Sequence, residues 1–258
     1  APALQVPMQF LKNLEVRIRR WRDEVISPIR YRGDAVRCPV CDQGFSHFLP
    51  AGTGDRARDG AVCPGCRSRE RDRLTWLYLQ DRQEKLLQRH MQFLHIAPEP
   101  RLSHFLREAI GEGYITADLM RKDVMVRLDV QDMIYPNETM DALYCSHVLQ
   151  DVPDDRKALT ECLRVLRPGA WAILNVPIFE ETTRADGTPG NVRATWDKRP
   201  DEHVRSYGRD YAQTLEAAGF EVEVCSPEDL EPDPVQRKRF GIDGPRTGWV
   251  HFVRKPAA

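Results

Sequence analysis

Four of the seven cysteines stand in two CxxC pairs, C-P-V-C at 38–41 and C-P-G-C at 63–66, with 21 residues between the pairs. Thiolates are preferred ligands of tetrahedral zinc, and two such pairs supply all four. Asp, Gln, Arg and Gly residues surround the pairs, which disfavours an interpretation as ordinary core cysteines. The sequence therefore predicts one closed, structural zinc site, with His47 and His95 as the nearby spare ligands. Its ligands are Cys38, Cys41, Cys63 and Cys66.

The remaining cysteines, Cys145, Cys162 and Cys225, are scattered through apolar segments. One metal site and three buried thiols fit a reducing compartment better than a disulfide framework. No apolar run reaches membrane-spanning length and no signal-peptide pattern is present, so we expect a cytoplasmic protein. The formal net charge of -1 argues against a general nucleic-acid binder, although residues 1–90 are basic and the remainder is acidic.

Polar residues also follow apolar segments of strand length. The segment 91–110 begins as a strand, turns tightly through Ala97 and Pro98, and continues with helical spacing until Gly111. Asp118 ends the next strand, 21 residues after Ala97, where an acidic residue can accept hydrogen bonds from ribose hydroxyls. The Gly-rich turn of dinucleotide-binding proteins is absent, so these residues alone leave the ligand open.

Alternating strands and helices must position these residues. Strands are predicted at 93–96, 113–119, 124–130, 140–145 and 171–176, with helices at 154–167 and 209–218. Two last strands, 220–225 and 249–253, are joined by a charged connection without a helical pattern. This order predicts a Rossmann-like, doubly wound, mostly parallel seven-stranded sheet that ends in an antiparallel hairpin.

A small helical and zinc-knuckle region precedes this sheet. Residues 4–26 predict a basic amphipathic helix ended by Ser27-Pro28; it could bind a membrane surface or RNA, but packing on the domain is favoured. The loop between the CxxC pairs shows no core of its own, and Ser68 is expected to cap a helix that runs to Gln88. The predicted division is 1–30, 31–90 and 91–258.

Residues 129–174 carry the most specific sequence pattern. They contain D-V-Q-D-M-I-Y-P, the strand M-D-A-L-Y-C, the segment H-V-L-Q-D-V and the helix end L-R-V-L-R-P-G. From about residue 91 to 254 the chain resembles the class I S-adenosylmethionine-dependent methyltransferases of type 11, and its front half resembles a zinc-knuckle subgroup. The resemblance implies that Asp118, with Leu119, holds the ribose, that Asp129 and the Val130 backbone hold the adenine, and that Cys145 and Ser146 lie against the methionine.

The first sequence motif departs from the family pattern of an acidic residue followed by G-x-G-x-G. His95 stands at the acidic position, Ala97 at the first glycine and Glu99 at the second. S-adenosylmethionine carries an ammonium and a carboxylate instead of a pyrophosphate. We infer that Glu99 has taken over the ammonium contact, while main-chain N–H groups of the following helix receive the carboxylate. The alternative is that Glu99 only caps that helix.

Methyl transfer from a sulfonium requires an aligned, unprotonated acceptor. The segment His203-Val204-Arg205-Ser206-Tyr207 predicts His203 as the base or orienting residue, with Arg205 and Tyr207 lining the site. The alternative is a surface cluster that caps a helix. His147, which follows the fourth strand, is the second choice of base.

Three classes of function remain open. The first is a methyltransferase that acts on a small molecule or carbohydrate, at oxygen or possibly at nitrogen. The second is an RNA or protein methyltransferase that uses the zinc knuckle for recognition; the near-neutral charge and the lack of an aromatic and basic stripe weigh against it. The third is a non-catalytic zinc-binding interaction module.

Overall fold

The computed structural model describes residues 25–52, 57–184, 203–244 and 246–257. The predicted helix at 4–26 lies almost wholly outside the described residues. The prediction that Ser27-Pro28 ends helical structure is wrong, because Ser27–Arg30 is itself helical. Pro28 fits there because the first turn of a helix needs no intrahelical N–H. Among the described helices, none is long and apolar enough to cross a membrane.

The segment between the CxxC pairs forms short strands but, as expected, has no core of its own, because its buried aromatic residues belong to a core shared with the linking helix and the sheet. Strands β1 (Arg32–Cys38) and β2 (Gln43–Phe45) pair antiparallel, as do β3 (Leu49–Ala51) and β4 (Arg58–Val62). Phe45 and Phe48 are buried in that shared core. At Gly44 an added Cβ would lie 2.5 Å from the Gly33 carbonyl oxygen, so this hairpin requires glycine.

The linking helix covers Glu70–Asp81 and is followed by the short helix Gln83–Leu86. Ser68 does not cap it, contrary to the prediction. Arg69 occupies the N-cap, and its backbone N–H donates to the Asp72 carboxylate at 2.8 Å. The Ser68 hydroxyl lies instead 3.3 Å from Sγ of Cys38 and 3.1 Å from Sγ of Cys66. The competing thiol contacts therefore explain the shifted cap.

The predicted seven-stranded sheet is confirmed. Its strands are β5 (Phe93–Ile96), β6 (Tyr114–Asp118), β7 (Val126–Arg127), β8 (Met140–Ser146), β9 (Leu166–Asn175), β12 (Glu221–Cys225) and β13 (Val250–Arg254). They lie in the order β12-β13-β9-β8-β5-β6-β7. Neighbouring strands from β9 through β8, β5 and β6 to β7 are parallel, whereas β13 is antiparallel to both β9 and β12. The antiparallel hairpin of β12 and β13 thus lies at one edge of the parallel sheet.

Alternate residues of the central strands enter two cores on opposite faces of the sheet. Leu143 and Cys145 of β8 belong to one core, which also holds residues of the helices Asp155–Val165 and Tyr211–Ala217. Ala142 and Tyr144 belong to the other core, together with residues of the helix Pro100–Ile110, the linking helix and the CxxC segment. The cysteine-rich segment therefore packs against the sheet by way of the linking helix.

Several element bounds differ from the predictions. Strand β7 is only two residues long, because it is an edge strand that pairs with β6 alone. The helix predicted at 154–167 ends at Val165, and β9 begins at Leu166 with a register shift before residue 171.

The connection between β12 and β13 contains two short helices where none was expected, Pro227–Leu230 and Pro234–Phe240. Ser226 and Asp233 cap these helices, and a proline follows each cap. The caps and prolines explain why these helices form without a long apolar period.

Candidate active site

The candidate site residues meet at one edge of the sheet. Parallel strands end on the same side, and the pairing of Ile96 with Ala117 and Cys145 brings three strand ends together. Ser146 pairs with Asn175 at the end of β9. Because β13 runs antiparallel to β9, the segment that leads into β13 starts at this edge. Ligands of open parallel sheets bind outside such carboxyl ends.

The turn after β5 is built without glycine. Ala97 has φ of 52° and its N–H donates to the Ala117 carbonyl at 2.8 Å. The left-handed conformation costs an L-residue about 1 kcal/mol or more. The small methyl group of alanine keeps the turn tight, and Pro100 begins the following helix. The predicted correspondence of Ala97 with a glycine position therefore agrees with its backbone conformation.

Glu99 occupies the N-cap of this helix, but its side chain makes no capping hydrogen bond. Its Oε2 lies 3.0 Å from Nε2 of His95, and its Oε1 accepts a hydrogen bond from the Tyr144 hydroxyl at 3.5 Å. The other ring nitrogen of His95, Nδ1, lies 2.7 Å from the Tyr114 hydroxyl. One ring tautomer satisfies both contacts, with Nε2–H donating to Glu99. The interpretation of Glu99 as a side-chain helix cap is therefore wrong.

Asp118 ends β6 and is half-buried. Its Oδ1 accepts hydrogen bonds from the backbone N–H groups of Met120 at 2.7 Å and Arg121 at 2.9 Å. Within the described part of the chain, Oδ2 accepts no hydrogen bond. Leu119 and Met120 follow with exposed side chains at 42% and 57%. A carboxylate with one free oxygen beside exposed apolar groups can bind a ribose and the face of a base.

Asp129 follows β7 and forms an isolated bridge with Asp132. Its Oδ1 accepts from the Gln131 backbone N–H at 2.9 Å, which fixes the carboxylate at the turn. Val130 is buried in the core, so its side chain anchors the segment and leaves its backbone to make polar contacts. Gln131 in turn accepts a hydrogen bond from the Asp154 N–H at 3.0 Å, which ties the turn to the start of the next helix.

At the end of β8, Cys145 and Ser146 are both buried. Burial raises the pKa of the Cys145 thiol well above its ordinary value, so the group stays protonated. The Cys145 side chain belongs to the core, and only its backbone can face a ligand at the sheet edge.

A cavity of ≈ 180 Å³ opens beside these residues at the ends of β8 and β9. His147 and His203, the two predicted bases, both line it. Other lining residues come from the start of the linking helix, from β4, from the segment after β8, from the end of β9 and from the segment that precedes β13. They include Arg58, Arg69, Arg71, Gln150, Asn175, Arg246, Thr247 and Trp249.

His203 is held in place by an acidic residue that the sequence pattern did not single out. Its Nδ1 lies 2.9 Å from Oδ1 of Asp151, and its side chain is 18% exposed. The contact leaves Nε2 as the ring nitrogen that can serve a ligand. Asp151 ends the short 3-10 helix Leu149–Asp151 within the H-V-L-Q-D-V segment. Its place just after the fourth strand was the signal that could have identified it.

His147 follows β8 in the left-handed conformation, with φ of 57°. Its backbone N–H donates to the Asn175 carbonyl at 2.8 Å, which ties it to the end of β9. Burial lowers the pKa of the ring well below its ordinary value, and the positive charges of Arg71 and Arg69 lower it further. The ring is therefore unprotonated near neutral pH.

Arg205 and Tyr207 do not line the cavity, contrary to expectation. The Tyr207 hydroxyl donates to Oδ2 of Asp155 at 2.8 Å, and an Arg205 guanidinium nitrogen lies 3.2 Å from Oδ1. Tyr207 lies in β11 (Tyr207–Gly208), which pairs with β10 (Ile178–Glu180), and its ring is fully buried. The segment 203–207 thus does not present one face to the cavity, because a buried carboxylate holds both side chains.

The four predicted zinc ligands converge. Their sulfur atoms all lie within 4.8 Å of one another. Sγ of Cys38 lies 3.6 Å from that of Cys66, and Sγ of Cys41 lies 3.7 Å from that of Cys63. Tetrahedral Zn–S bonds of about 2.3 Å separate neighbouring sulfur atoms by roughly 3.8 Å, so the cluster has the right size for zinc. Backbone N–H groups of Gly65 and Cys66 lie 3.3 and 3.4 Å from the Cys63 sulfur.

Comparison with known proteins identifies the family of the central part of the chain. Residues 83–174 match Methyltransf_11, described as a methyltransferase domain. This range runs from the short helix Gln83–Leu86 through β5 to β8 and almost to the end of β9. The resemblance inferred from residues 129–174 is therefore confirmed. No curated protein sequence matches the chain.

Several solved structures are similar to this chain at low sequence identity. A chain in the complex between the Haloferax volcanii Trm112 methyltransferase activator and a candidate methyltransferase is 15% identical with a TM-score of 0.50, and the match covers 72% of this chain and 91% of that chain. An S-adenosylmethionine-dependent methyltransferase from Mesorhizobium loti is 15% identical with a TM-score of 0.47, covering 70% and 97%. Haemonchus contortus phosphoethanolamine N-methyltransferase 2, in complex with S-adenosyl-L-methionine, is 12% identical with a TM-score of 0.47, covering 71% and 53%.

Proposed function

We propose that this chain, an S-adenosylmethionine-dependent methyltransferase, methylates a hydroxyl group of a small molecule or a carbohydrate, with His203 as the base. The contact of Asp151 with His203, which lines a ≈ 180 Å³ cavity, carries the proposal. With Nδ1–H donating to Asp151, Nε2 is left to accept the proton of the acceptor hydroxyl. The cavity is smaller than a typical ligand pocket, which favours a small acceptor or one unit of a larger one.

S-adenosylmethionine, when bound, supplies a methyl carbon on a sulfonium, and transfer breaks the S–C bond with the electron pair left on sulfur. We assign its ribose to Asp118 and Leu119, and its adenine to Asp129 and the Val130 backbone. Support comes from the free Oδ2 of Asp118 and from the exposed apolar side chains that follow it.

The methionine end would meet Glu99, the turn at Ala97 and the segment at Cys145 and Ser146. The Glu99 carboxylate is held by His95 and Tyr144 and takes no part in capping, so it is available to accept hydrogen bonds from an ammonium. Such charge-assisted hydrogen bonds are stronger than neutral ones. This assignment gives a purpose to the replacement of the family's acidic strand residue by His95.

In the proposed reaction His203 accepts the proton and Asp151 orients the ring and stabilises its charge. His147, unprotonated and in the same cavity, is the alternative base, and its neighbour Gln150 donates a hydrogen bond to its backbone carbonyl at 2.7 Å. We further propose that Cys38, Cys41, Cys63 and Cys66 bind one structural zinc, because four thiolates leave no coordination position for a substrate.

The test is methyl transfer from labelled S-adenosylmethionine to separate small-molecule, RNA and protein fractions. Label in the small-molecule fraction, bound through oxygen, is expected. His203→Asn should lower the rate by about 10²- to 10⁴-fold, as removal of a positioned base does. Asp151→Asn should lower it less and change the pH profile. Label found only in RNA or protein, or full activity of His203→Asn, would contradict the proposal.

A further inference from the structure

The cavity that holds His147 and His203 is lined by cationic groups and by no acidic ones among the described lining residues. Four arginines, Arg58, Arg69, Arg71 and Arg246, line it together with the two histidines. Clefts lined by one sign of charge concentrate ligands of the opposite sign. The chain as a whole is almost neutral, so this asymmetry is local to the cavity.

Acidic neighbours neutralise only part of this charge. Arg58 is paired with Glu70 through two hydrogen bonds, at 2.7 and 3.2 Å. Arg71 has Asp72 at 3.6 Å, but its Nε is buried and makes no hydrogen bond within the described part of the chain. For Arg69, none of the described acidic side chains lies within ion-pair distance. Arg69 is exposed and lines the cavity, so its guanidinium is open to a ligand.

An independent feature of the same cavity also indicates a polar ligand. Thr247 is only 2% exposed, lines the cavity, and its Oγ1 has no hydrogen-bond partner among the described residues. A buried hydroxyl without a partner costs about 1 to 3 kcal/mol, which a ligand oxygen would recover. Thr247 belongs to the segment before β13, far in sequence from the linking helix that supplies the arginines.

We propose that the methyl acceptor carries an anionic group, a carboxylate or a phosphate, that binds to Arg69 and Arg71. The guanidinium group matches both anions because its N–H groups can donate two parallel hydrogen bonds. Arg69 and Arg71 line the same cavity as His203, the proposed base, so the anion subsite and the base belong to one site. This inference rests on the proposed function and specifies its substrate class.

The cysteine-rich segment and the start of the linking helix supply three of the cavity's arginines. Arg58 comes from β4, directly before Cys63, and Arg69 and Arg71 come from the start of the linking helix, directly after Cys66. The second CxxC pair thus lies between the strand that supplies Arg58 and the helix start that supplies Arg69 and Arg71. Zinc would therefore act on substrate binding through position alone, without touching the substrate.

The experiment titrates inorganic phosphate, malonate and neutral glycerol by calorimetry into the full chain saturated with S-adenosylhomocysteine. Phosphate or malonate should bind and glycerol should not; the better anion distinguishes a phosphorylated from a carboxylated acceptor. Arg69→Gln should weaken anion binding about tenfold or more, since charged hydrogen bonds are lost. Arg69→Lys should retain part of the affinity. Arg239→Gln, which changes an exposed arginine on the helix Pro234–Phe240, is the matched control and should bind anions like the wild type.

Titration of S-adenosylhomocysteine into the same proteins separates this inference from the proposed function. If S-adenosylhomocysteine binds but neither anion does, the anion subsite is wrong while the methyltransferase assignment stands. Equal anion affinity of Arg69→Gln and Arg239→Gln would also overturn it. If S-adenosylhomocysteine fails to bind, the cofactor assignment is wrong. The anion titrations, repeated without S-adenosylhomocysteine, still test whether the anion subsite exists. Thermal unfolding of each variant shows whether it is folded.

Discussion

Arg73 offers the sharpest test of how the cysteine-rich segment is joined to the rest of the protein. Its side chain is fully buried and donates five hydrogen bonds of 2.7 to 3.2 Å to backbone carbonyls. Three acceptors, Gly60, Ala61 and Ser68, flank the second CxxC pair, whereas Phe240 and Gly241 end the helix before β13. One guanidinium therefore ties the candidate zinc segment to the sheet's last connection.

The magnitude follows from the hydrogen bonds. Five bonds at a net value of about 1 kcal/mol each give about 5 kcal/mol. The guanidinium also stacks over the Phe48 ring at 4.0 Å, which adds to the loss. Removing a buried charge recovers some desolvation energy, so we expect Arg73→Met to cost about 3 to 5 kcal/mol. Arg73→Lys keeps the charge but offers three donors from one nitrogen, so we expect a smaller loss of roughly 2 to 3 kcal/mol.

The assay is urea unfolding of the zinc-loaded protein, followed by tryptophan fluorescence. Arg239→Met, at an exposed arginine of the helix Pro234–Phe240, is the control for loss of a charge alone. A domain is stable by about 5 to 15 kcal/mol, so the expected loss shifts the midpoint clearly. If Arg73→Met unfolds at the same urea concentration as Arg239→Met, the hydrogen bonds contribute nothing and the argument is wrong.

Three further predictions concern zinc binding, S-adenosylmethionine binding and the pH dependence of stability. Metal analysis should find about one zinc per chain, and Cys63→Ser should lose it and unfold more easily; unchanged metal content and stability would contradict the site. Asp118→Ala should weaken S-adenosylmethionine binding by roughly 1.5 to 3 kcal/mol in calorimetry, because a hydrogen-bonding carboxylate is lost, and equal affinity would refute the ribose assignment. Burial lowers the pKa of His251 to about 4. Its contribution to the free energy of unfolding is therefore present above the unfolded pKa of about 6.5 and is lost as the pH falls towards 4. His251→Asn should make the free energy of unfolding depend less on pH between about 6.5 and 4, and an unchanged pH dependence would contradict the prediction.

The sheet could be predicted because its signals are local. Each central strand is a short apolar run, and each major helix has a regular apolar spacing, so the order of elements indicated both the parallel sheet and the final hairpin. The CxxC pairs were equally informative, since four thiolates at this spacing have few other uses. Two short helices before β13 were missed because caps at Ser226 and Asp233, rather than apolar periodicity, determine them.

The candidate site was harder to predict because its contacts join distant segments. Asp151 and His203 are 52 residues apart, and neither carries a pattern that identifies the other. Arg205 and Tyr207 were misplaced because a buried carboxylate, Asp155, draws both side chains away from the cavity. The arginines of the cavity were missed because a basic segment in sequence usually means a solvated surface. Only the fold shows that Arg69 and Arg71 face a cavity without acidic groups among its described lining residues.

Glu99 is the residue at which the chain departs most clearly from its family's pattern, and Glu99→Gln tests whether the departure serves the cofactor. The carbonyl oxygen of the substituted amide can still accept a hydrogen bond from His95 or Tyr144, so the turn should keep its structure. The negative charge is lost, however, and an ammonium then meets a neutral amide. A charged hydrogen bond exceeds a neutral one by about 1 to 1.5 kcal/mol, which corresponds to about a tenfold weaker affinity for S-adenosylmethionine.

Adenosine is the matched control ligand, because it shares the nucleoside and lacks the ammonium. Its affinity should be the same for the wild type and Glu99→Gln. Thermal stability should change little, since the Glu99 side chain makes no capping hydrogen bond that the substitution could remove. If both ligands weaken equally, the substitution has disturbed the turn and not an ammonium contact. If neither weakens, Glu99 only fills the space beside His95, and the ammonium must be bound by another group at this edge of the sheet.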